Sequence, residues 1–281
     1  MSWFVKDRRK LASGGFAEIY IGVRSDTGEQ VVVKYLRESD NPEYRRTFAR
    51  EFRILKRRLH ERVVTVLGGD PDAERPYYIM PFYGGGKLTN WAGRLNHEQL
   101  QVVATQLAEA LLAFHKAEIA HGDFKPDNVL VGEGGDLRVA DPLGNGAGCT
   151  VLYAANRGGT PGYWAPEVAK GGPISRPGDV FSFGATLYHM ATGRAPQDGQ
   201  TLDPQAIGAL VPKHIRAIIL VCCRPDPASR PRLSQVLTML QKRLTELPVT
   251  PKSDPLADLL KAAAIAGCFV AGVALVARMM K

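Results

Sequence analysis

The change in hydrophobic periodicity along the chain is the feature that most constrains its fold. The first third contains short apolar strands, at 31–33 and 77–80, around one predicted helix at 43–59. The later apolar patterns are helical, and they predict helices over 100–115, 179–190, 214–223 and 233–244. The sequence therefore predicts an α+β protein in which a β-rich unit precedes a mostly helical one. A length of 281 residues accommodates two such lobes and a tail.

Composition and charge exclude several classes of protein. Hydrophobic residues make up 45% and charged residues 23%, which excludes a disordered chain, a collagen-like fibre and a purely membrane-embedded protein. Four cysteines are too few for a disulfide scaffold, and their spacing matches no metal site. The formal net charge of +8 indicates an anionic partner without identifying it.

A glycine-rich segment, LASGGFAEIY at 11–20, lies between two predicted strands. Its small residues let the backbone approach phosphate oxygens closely, so that amide groups can face them. Lys34 follows the apolar strand at 31–33 and could neutralise a phosphate. Each feature alone is common, because a glycine-rich hairpin or a solvated strand end produces the same pattern.

The loop HGDFKPDN at 121–128 concentrates polar chemistry. It offers an acid at Asp123, an amine at Lys125 and a carboxamide at Asn128. This spacing allows a base, a phosphate-neutralising cation and a metal ligand to converge. Asp141 follows 18 residues after Asp123, at the end of another predicted strand, where a carboxylate is a good ligand for Mg²⁺.

Together these motifs resemble the signature set of protein kinases, and their order matches over residues 8–245. GTPGYWAPE at 159–167 resembles the loop that receives a peptide substrate, and DVFSFG at 179–184 resembles the start of the large-lobe helix. Arg230 resembles the arginine that pairs with the glutamate of the APE motif, here Glu167. In chain order the five main motifs read LASGGFAEI, VVVK, HGDFKPDN, DPLG and APE.

The resemblance implies a bilobal kinase fold, with a small lobe at 1–82 and a large lobe at 83–246. The compact form, without long insertions, resembles bacterial more than eukaryotic members. It implies that Lys34 holds the α- and β-phosphates of ATP and pairs with Glu51 on the helix. Thr160 is expected to contact the catalytic loop, a feature of serine/threonine-specific members. The remaining implied roles are Asp123 as the residue that orients or accepts the substrate proton, Lys125 as the γ-phosphate lysine, and Asn128 and Asp141 as the Mg²⁺ ligands.

The implied ATP pocket lies at the hinge between the lobes. Met80 resembles the gatekeeper, and the Pro81 carbonyl and the Tyr83 amide are expected to meet the adenine edge. The implied ATP-binding residues are Leu11, Ala12, Ser13, Gly14, Gly15, Phe16, Ala17, Ile19, Val32, Lys34, Met80, Pro81, Tyr83 and Leu130. Among them, the side chains of Ile19, Val32 and Leu130 are expected to sandwich the adenine ring.

Several positions depart from the kinase pattern. Ala12 and Ala17 replace two glycines, so we expect an altered ATP affinity rather than its loss. Gly122 replaces the arginine that often precedes the catalytic aspartate, which puts control by activation-loop phosphorylation in doubt. Pro142 replaces the phenylalanine after Asp141, and we expect Asp141 to keep pointing at the nucleotide site. Lys87 stands where many relatives place an acid near the ribose.

Three functions fit these motifs. The first is an ATP- and Mg²⁺-dependent serine/threonine protein kinase. The second is a pseudokinase or scaffold. The presence of all five polar residues of the kinase pattern, Lys34, Glu51, Asp123, Asn128 and Asp141, argues against it. The third is a small-molecule phosphotransferase, a class that also uses a His-Gly-Asp loop. The segment at 159–167 favours a protein substrate.

The C-terminal end has its own apolar pattern. Residues 262–277 carry no charge, and such a helix is about 24 Å long against a hydrocarbon core of about 30 Å. We expect a membrane anchor at 259–280 after a proline-rich linker at 247–258, although a buried helix has the same pattern. The predicted location is the cell membrane, single-pass at the C-terminus with the kinase domain cytoplasmic, or the cytoplasm if the tail is not inserted.

The helix predicted at 43–59 has an arginine stripe opposite its apolar face. The four residues of this stripe are Arg46, Arg50, Arg53 and Arg57. A solvated helix face explains it, and contact with anionic lipid is the alternative interpretation. No aromatic stacking pattern accompanies the basic residues, so no nucleic-acid partner is expected.

Overall fold

The computed structural model describes residues 3–14, 16–144, 161–197, 202, 207–208 and 211–246. Gly15, Thr160, the predicted linker at 247–258 and the predicted anchor at 259–280 lie outside the described residues. Within the described part of the chain, no helix is both long and apolar enough to span a bilayer.

The N-terminal unit is a five-stranded antiparallel sheet with the strand order β1-β2-β3-β5-β4. Its third strand is longer than the apolar run that predicted it, so Lys34 lies within the strand rather than after it. The ladder to β2 continues to Leu36 because backbone pairing does not require apolar side chains. The strands are β1 (Val5–Ser13), β2 (Ala17–Arg24), β3 (Gln30–Leu36), β4 (Gly68–Asp70) and β5 (Tyr77–Pro81).

Alternation along β3 decides which residues face the interior of the molecule. Val32, Lys34 and Leu36 share one face of the strand, because successive side chains point to opposite faces. Val31 and Val33 point to the other face, where they pack with Ile79 in a second, smaller apolar cluster. Lys34 is therefore carried into the main core, and only 7% of its surface is exposed.

Helix α1 (Pro42–Lys56) packs on the inner face of this sheet. The Asn41 side chain accepts hydrogen bonds from two backbone amides of the first turn, and Pro42 occupies the position where no amide donor is needed. The apolar stripe of the helix is buried, including Phe48 and Phe52. The helix ends three residues earlier than predicted, and Arg58 beyond it adopts a left-handed backbone conformation with φ 52°.

The C-terminal unit is mostly helical, which confirms the predicted α+β arrangement. A capping box between Asn96 and Gln99 begins its first long helix, and Gly193 in a left-handed conformation ends its central one. Its elements are α2 (His97–Lys116), β6 (Val129–Val131), β7 (Leu137–Val139), α3 (Pro166–Ala169), α4 (Arg176–Thr192), α5 (Lys213–Cys222) and α6 (Leu233–Glu246). One apolar core runs from the sheet side of α1 into these helices.

Candidate active site

Lys34 is shared by two carboxylates. Its Nζ lies 2.6 Å from Glu51 Oε1 on α1 and 2.7 Å from Asp141 Oδ1, just beyond β7. The Tyr78 hydroxyl donates to the same Glu51 oxygen at 2.5 Å. Tyr78 lies opposite Lys34 in the β3–β5 ladder, so the strand register places it there. Sequence reasoning missed Tyr78, because the residue is identified only once the strand pairing is known.

Burial and charge shift the pKa values of this cluster in opposite directions. Loss of water around Glu51 raises its pKa to about 7, although the Lys34 ammonium opposes the shift. Desolvation alone would raise the pKa of Asp141, but the charge of Lys34 outweighs it and leaves that pKa below its usual value. Desolvation disfavours the Lys34 ammonium, yet the two carboxylates raise its pKa overall. Asp141 is therefore ionised and negatively charged near neutral pH.

Asp123 is the centre of the second cluster, in the loop between α2 and β6. Its carboxylate accepts hydrogen bonds from Lys125 Nζ at 3.0 Å and from Asn128 Nδ2 at 2.6 Å. Asn128 Nδ2 also donates to the Asp123 backbone carbonyl at 2.7 Å. Because the amide nitrogen of Asn128 is committed to Asp123, its carbonyl oxygen is the atom that can meet a metal ion.

The backbone of the loop at 121–128 is held by Asp179 at the first turn of α4. Asp179 accepts from the backbone amides of His121 at 2.7 Å and Gly122 at 2.9 Å, and it lies 3.0 Å from His115 Nε2. Only 1% of the surface of Asp179 is exposed. A carboxylate on α4, itself bonded to His115 on α2, therefore fixes the backbone just before Asp123, which lies two residues after His121.

His121 connects this loop to the end of β7. Its Nε2 lies 2.9 Å from the Ala140 carbonyl, and its Nδ1 accepts from the Asp123 amide at 3.2 Å. These partners require the neutral imidazole with its proton on Nε2. Burial lowers the pKa of His121, which favours that neutral form. Sequence reasoning did not assign this role to His121.

The two clusters meet where β7 ends. The Ala140 amide donates to the Asn128 carbonyl at 2.8 Å, and the Leu143 amide donates to the His121 carbonyl at 2.8 Å. Asp141 between them adopts φ 56°, a left-handed conformation uncommon for residues other than glycine. In this conformation its carboxylate points toward Lys34.

The donor set of this region fits a divalent cation that also binds phosphates. No group of three or more His, Cys, Asp or Glu side chains able to hold a metal occurs in the described part of the chain. Asn128 and Asp141 offer only one amide oxygen and one carboxylate. Mg²⁺ is commonly held by such a small protein set, with substrate phosphates and waters completing the octahedron.

Several of the residues expected to contact adenine lie on neighbouring strands of the five-stranded sheet, while Leu130 lies on β6 of the other unit. Val32 pairs with Met80 across β3 and β5, and Ala12 pairs with Ile19 across β1 and β2. The Gly14 amide donates to the Ala17 carbonyl at 2.9 Å, which closes the glycine-rich turn. Leu11, Ser13, Pro81, Tyr83 and Leu130 are each at least partly accessible.

Phe16 has a different position from the other expected ATP-binding residues. Its ring is buried against α1, with centroids 5.2 Å from Tyr44 and 6.4 Å from Phe48. The side chain therefore packs the glycine-rich turn onto the helix that carries Glu51.

Lys87 lies beside the loop at 121–128, at the end of the segment expected to form the hinge. Its backbone forms an antiparallel bridge with Leu130, and its Nζ lies 3.9 Å from Asp127 Oδ1. The adjacent Gly85 and Gly86 also exchange backbone hydrogen bonds with Val131. This pairing fixes the hinge segment against the strand that follows Asn128.

A buried ion pair supports the large unit below this site. Arg230 donates from its two terminal nitrogens to Glu167 at 2.6 and 2.8 Å, and its side chain has no exposed surface. The guanidinium also lies 5.2 Å from the Phe181 ring centroid. The pair that the sequence predicted between residues 167 and 230 is present.

Comparison with known proteins identifies the family. The model of the protein kinase domain matches residues 5–244. The chain belongs to the protein kinase family. It is 32% identical over 262 residues to the DNA damage-responsive serine/threonine-protein kinase RqkA of Deinococcus radiodurans, an alignment that covers 82% of this chain and 38% of the relative.

Other bacterial kinases are similar to a comparable extent. The serine/threonine-protein kinase Pkn1 of Myxococcus xanthus is 32% identical over 209 residues, covering 71% of this chain and 30% of the relative. The probable serine/threonine-protein kinase PkwA of Thermomonospora curvata is 29% identical over 249 residues, covering 82% of this chain and 33% of the relative. The chain thus spans about a third of the length of these kinases.

Proposed function

We propose that this chain transfers the γ-phosphoryl group of ATP to serine or threonine hydroxyls of protein substrates. The observation that carries the proposal is the arrangement around Asp123. Lys125 and Asn128 both bond its carboxylate, and a backbone hydrogen bond brings this loop beside Asp141. This single cluster contains a proton acceptor, a phosphate-neutralising cation and two oxygen ligands for a cation.

The roles of the polar residues follow from charge. Lys34 neutralises the α- and β-phosphates, while Glu51 holds the lysine in position. Asp123 orients the substrate hydroxyl and accepts its proton as the oxygen attacks the γ-phosphorus, and ADP leaves. Lys125 compensates the charge on the transferred group. Asn128 and Asp141 would hold Mg²⁺, which would supply further charge compensation at the phosphates.

The adenine site that we propose lies between the two lobes, with boundaries at 1–82 and 83–246. The side chains of Ile19, Val32 and Leu130 enclose the ring, and Met80 limits the depth of the pocket. The Pro81 carbonyl and the Tyr83 amide are the hydrogen-bonding groups for its edge. Specificity for serine and threonine rests on Lys125 and on Thr160, which is outside the described residues.

The test uses the full chain, a serine/threonine peptide library, Mg²⁺ and labelled ATP. We expect label on serine or threonine, and we expect it to disappear in Asp141→Ala. Asp40→Ala, which changes an exposed aspartate away from the cluster, is the matched control and should retain activity. Equal labelling by wild type and Asp141→Ala would contradict the metal assignment. Transfer of the label only to small-molecule alcohols would contradict the proposed protein substrate and would support a small-molecule phosphotransferase instead.

We also propose that residues 259–280 anchor the kinase domain to the cell membrane, with the domain on the cytosolic side where ATP is available. The support is the uncharged run at 262–277, bounded by Lys261 and Arg278. The test is extraction of membranes from expressing cells with alkaline carbonate. Retention of the full chain and release of a chain truncated after residue 258 would support the anchor, and release of both would exclude it.

A further inference from the structure

We infer that the outer face of α1 is a docking surface for an anionic lipid bilayer, independent of the phosphoryl-transfer site. The arginine stripe occupies this face, on the side of the helix opposite to Phe48 and Phe52. The stripe runs for about 16 Å from Arg46 to Arg57, at about 1.5 Å per residue. A flat anionic surface is the partner that matches a straight row of cations.

Exposure and pairing within the described part of the chain support this inference. Arg46, Arg53 and Arg57 are exposed, and none of the three has a carboxylate within salt-bridge distance among the described residues. Arg50 differs, because it is half-buried and its side chain lies close to Gly144. The inference therefore rests on the three exposed arginines.

The stripe is unfavourable for an isolated helix. Like charges three or four residues apart on a helix repel one another, so Arg53 is opposed by the arginines on both sides of it. In contrast, Arg45 has partners within the fold, because its terminal nitrogens donate to the carbonyls of Asp72, Ala73 and Glu74. An external anion would remove the repulsion along the stripe.

The chemistry of the face favours lipid over a protein partner. Stable protein interfaces are built around buried apolar or aromatic residues. The large hydrophobic residues that are exposed in the described part of the chain are Phe4 and Met239, and neither lies on α1. Binding to an anionic bilayer needs charge alone, and guanidinium groups match phosphate oxygens in two-point contacts.

The proposed anchor would allow α1 to reach the bilayer, but the proposed contact does not depend on the anchor. The segment at 247–258 reaches about 40 Å when extended. A compact domain of this size has a radius of gyration of about 18 Å. An anchored domain can thus turn any of its faces toward the bilayer. Binding of the arginine stripe to anionic lipid would favour the orientation in which α1 faces the bilayer.

The test measures binding of the full chain to vesicles of phosphatidylcholine alone and with 30% phosphatidylserine, at low and high salt. The variant is R46Q/R53Q/R57Q, and the matched control is R9Q/R94Q/R232Q, which removes three exposed arginines elsewhere. We expect phosphatidylserine to strengthen binding of wild type and control. Each stripe arginine should contribute about 5-fold, so the variant should lose on the order of 100-fold.

Hydrogen–deuterium exchange gives a second readout, which remains informative if the tail saturates vesicle binding. In nanodiscs, phosphatidylserine should slow exchange in α1 of the wild type and the control, and should leave the stripe variant unchanged. Equal losses in both variants, or lipid-dependent protection that survives in the stripe variant, would overturn the inference. Binding of the stripe to an acidic peptide but not to anionic vesicles would also overturn it. Peptide phosphorylation, measured in parallel without lipid, tests the proposed function separately.

Discussion

Two buried pairs of a cation and a carboxylate illustrate two uses of the same chemistry. Arg230 satisfies all five of its donors, two on Glu167 and three on the carbonyls of Pro177, Arg224 and Pro225. Lys34 instead divides its donors between Glu51 and Asp141. The arginine is fixed by surrounding backbone, whereas the lysine is held only by side chains. A fully satisfied guanidinium stabilises a structure, and a shared ammonium can exchange partners when phosphate arrives.

The carboxylates of the two pairs, Glu167 and Glu51, also differ in their exposure to solvent. Glu167 is partly open to solvent, with 26% of its side chain exposed. Glu51 is nearly buried and has a pKa raised to about 7 by desolvation, which indicates that its charge depends on Lys34 and Tyr78. Removing a partner should therefore affect catalysis in the Lys34 pair and folding in the Arg230 pair.

The largest expected effect is on catalysis. Lys34→Met should lower kcat/KM for peptide phosphorylation by about 10³-fold, roughly 4 kcal/mol, because the phosphates lose a buried cation. The measurement is steady-state kinetics with ATP varied. Lys116→Met, at an exposed position near the end of α2, is the control and should be near wild type. Retention of a tenth of the activity in Lys34→Met would contradict the assigned role.

Arg230→Met should have its main effect on stability. We expect the free energy of unfolding to fall by about 3 kcal/mol, because Glu167 and three carbonyls lose a common donor. Guanidinium chloride denaturation followed by circular dichroism measures this change. Arg232→Met removes an exposed arginine two residues later and serves as the control. A loss below 1 kcal/mol would remove the distinction between the two pairs.

A smaller effect is expected for Tyr78→Phe, which removes the hydroxyl that bonds Glu51. The free energy of unfolding should fall by about 1.5 kcal/mol, the usual contribution of a hydrogen bond to a charged group. Tyr77→Phe changes the neighbouring residue on the opposite face of β5 and should be close to neutral. Equal effects of the two substitutions in thermal and chemical denaturation would show that the Glu51 contact adds no stability.

The smallest expected effect is a pH dependence. Burial lowers the pKa of His121 in the folded protein below its ordinary 6.5, so the unfolded chain binds more protons as pH falls. The contribution of His121 to stability should thus be complete above pH 6.5 and decrease below it, by at most about 1.4 kcal/mol per pH unit. His121→Gln should flatten this part of the stability curve. His97→Gln, at an exposed position, should keep the wild-type slope.

Much of the fold could be predicted from sequence because its signals are local. The apolar periodicity located α1 and α2 to within a few residues, and the ordered motifs indicated which side chains should meet. The boundaries were less accurate where backbone conformation decides them. Arg58 adopts a left-handed conformation beyond α1, and no sequence pattern predicted this.

Contacts between distant elements could not be predicted in the same way. Tyr78 meets Glu51 because of the β3–β5 register, and His121 meets Ala140 because two loops converge. The packing of Phe16 on α1 depends on how the glycine-rich turn closes. In each case the residue type is compatible with many environments, and only the assembled fold selects one.

The geometry of Gly122 has a consequence for how this kinase could acquire a new control. The residue has φ 84°, and a Cβ atom there would lie 2.9 Å from Ile174 Cγ2 and 3.3 Å from Leu143 Cβ. An arginine at this position would meet both a strained backbone and an occupied space. Restoring it by a single substitution would cost folding before any regulatory benefit appeared. A smaller residue at 174 would relieve the contact with Ile174 but not the backbone strain, because the positive φ at 122 disfavours any side chain. A phosphate-sensing arginine there therefore requires the loop backbone itself to change.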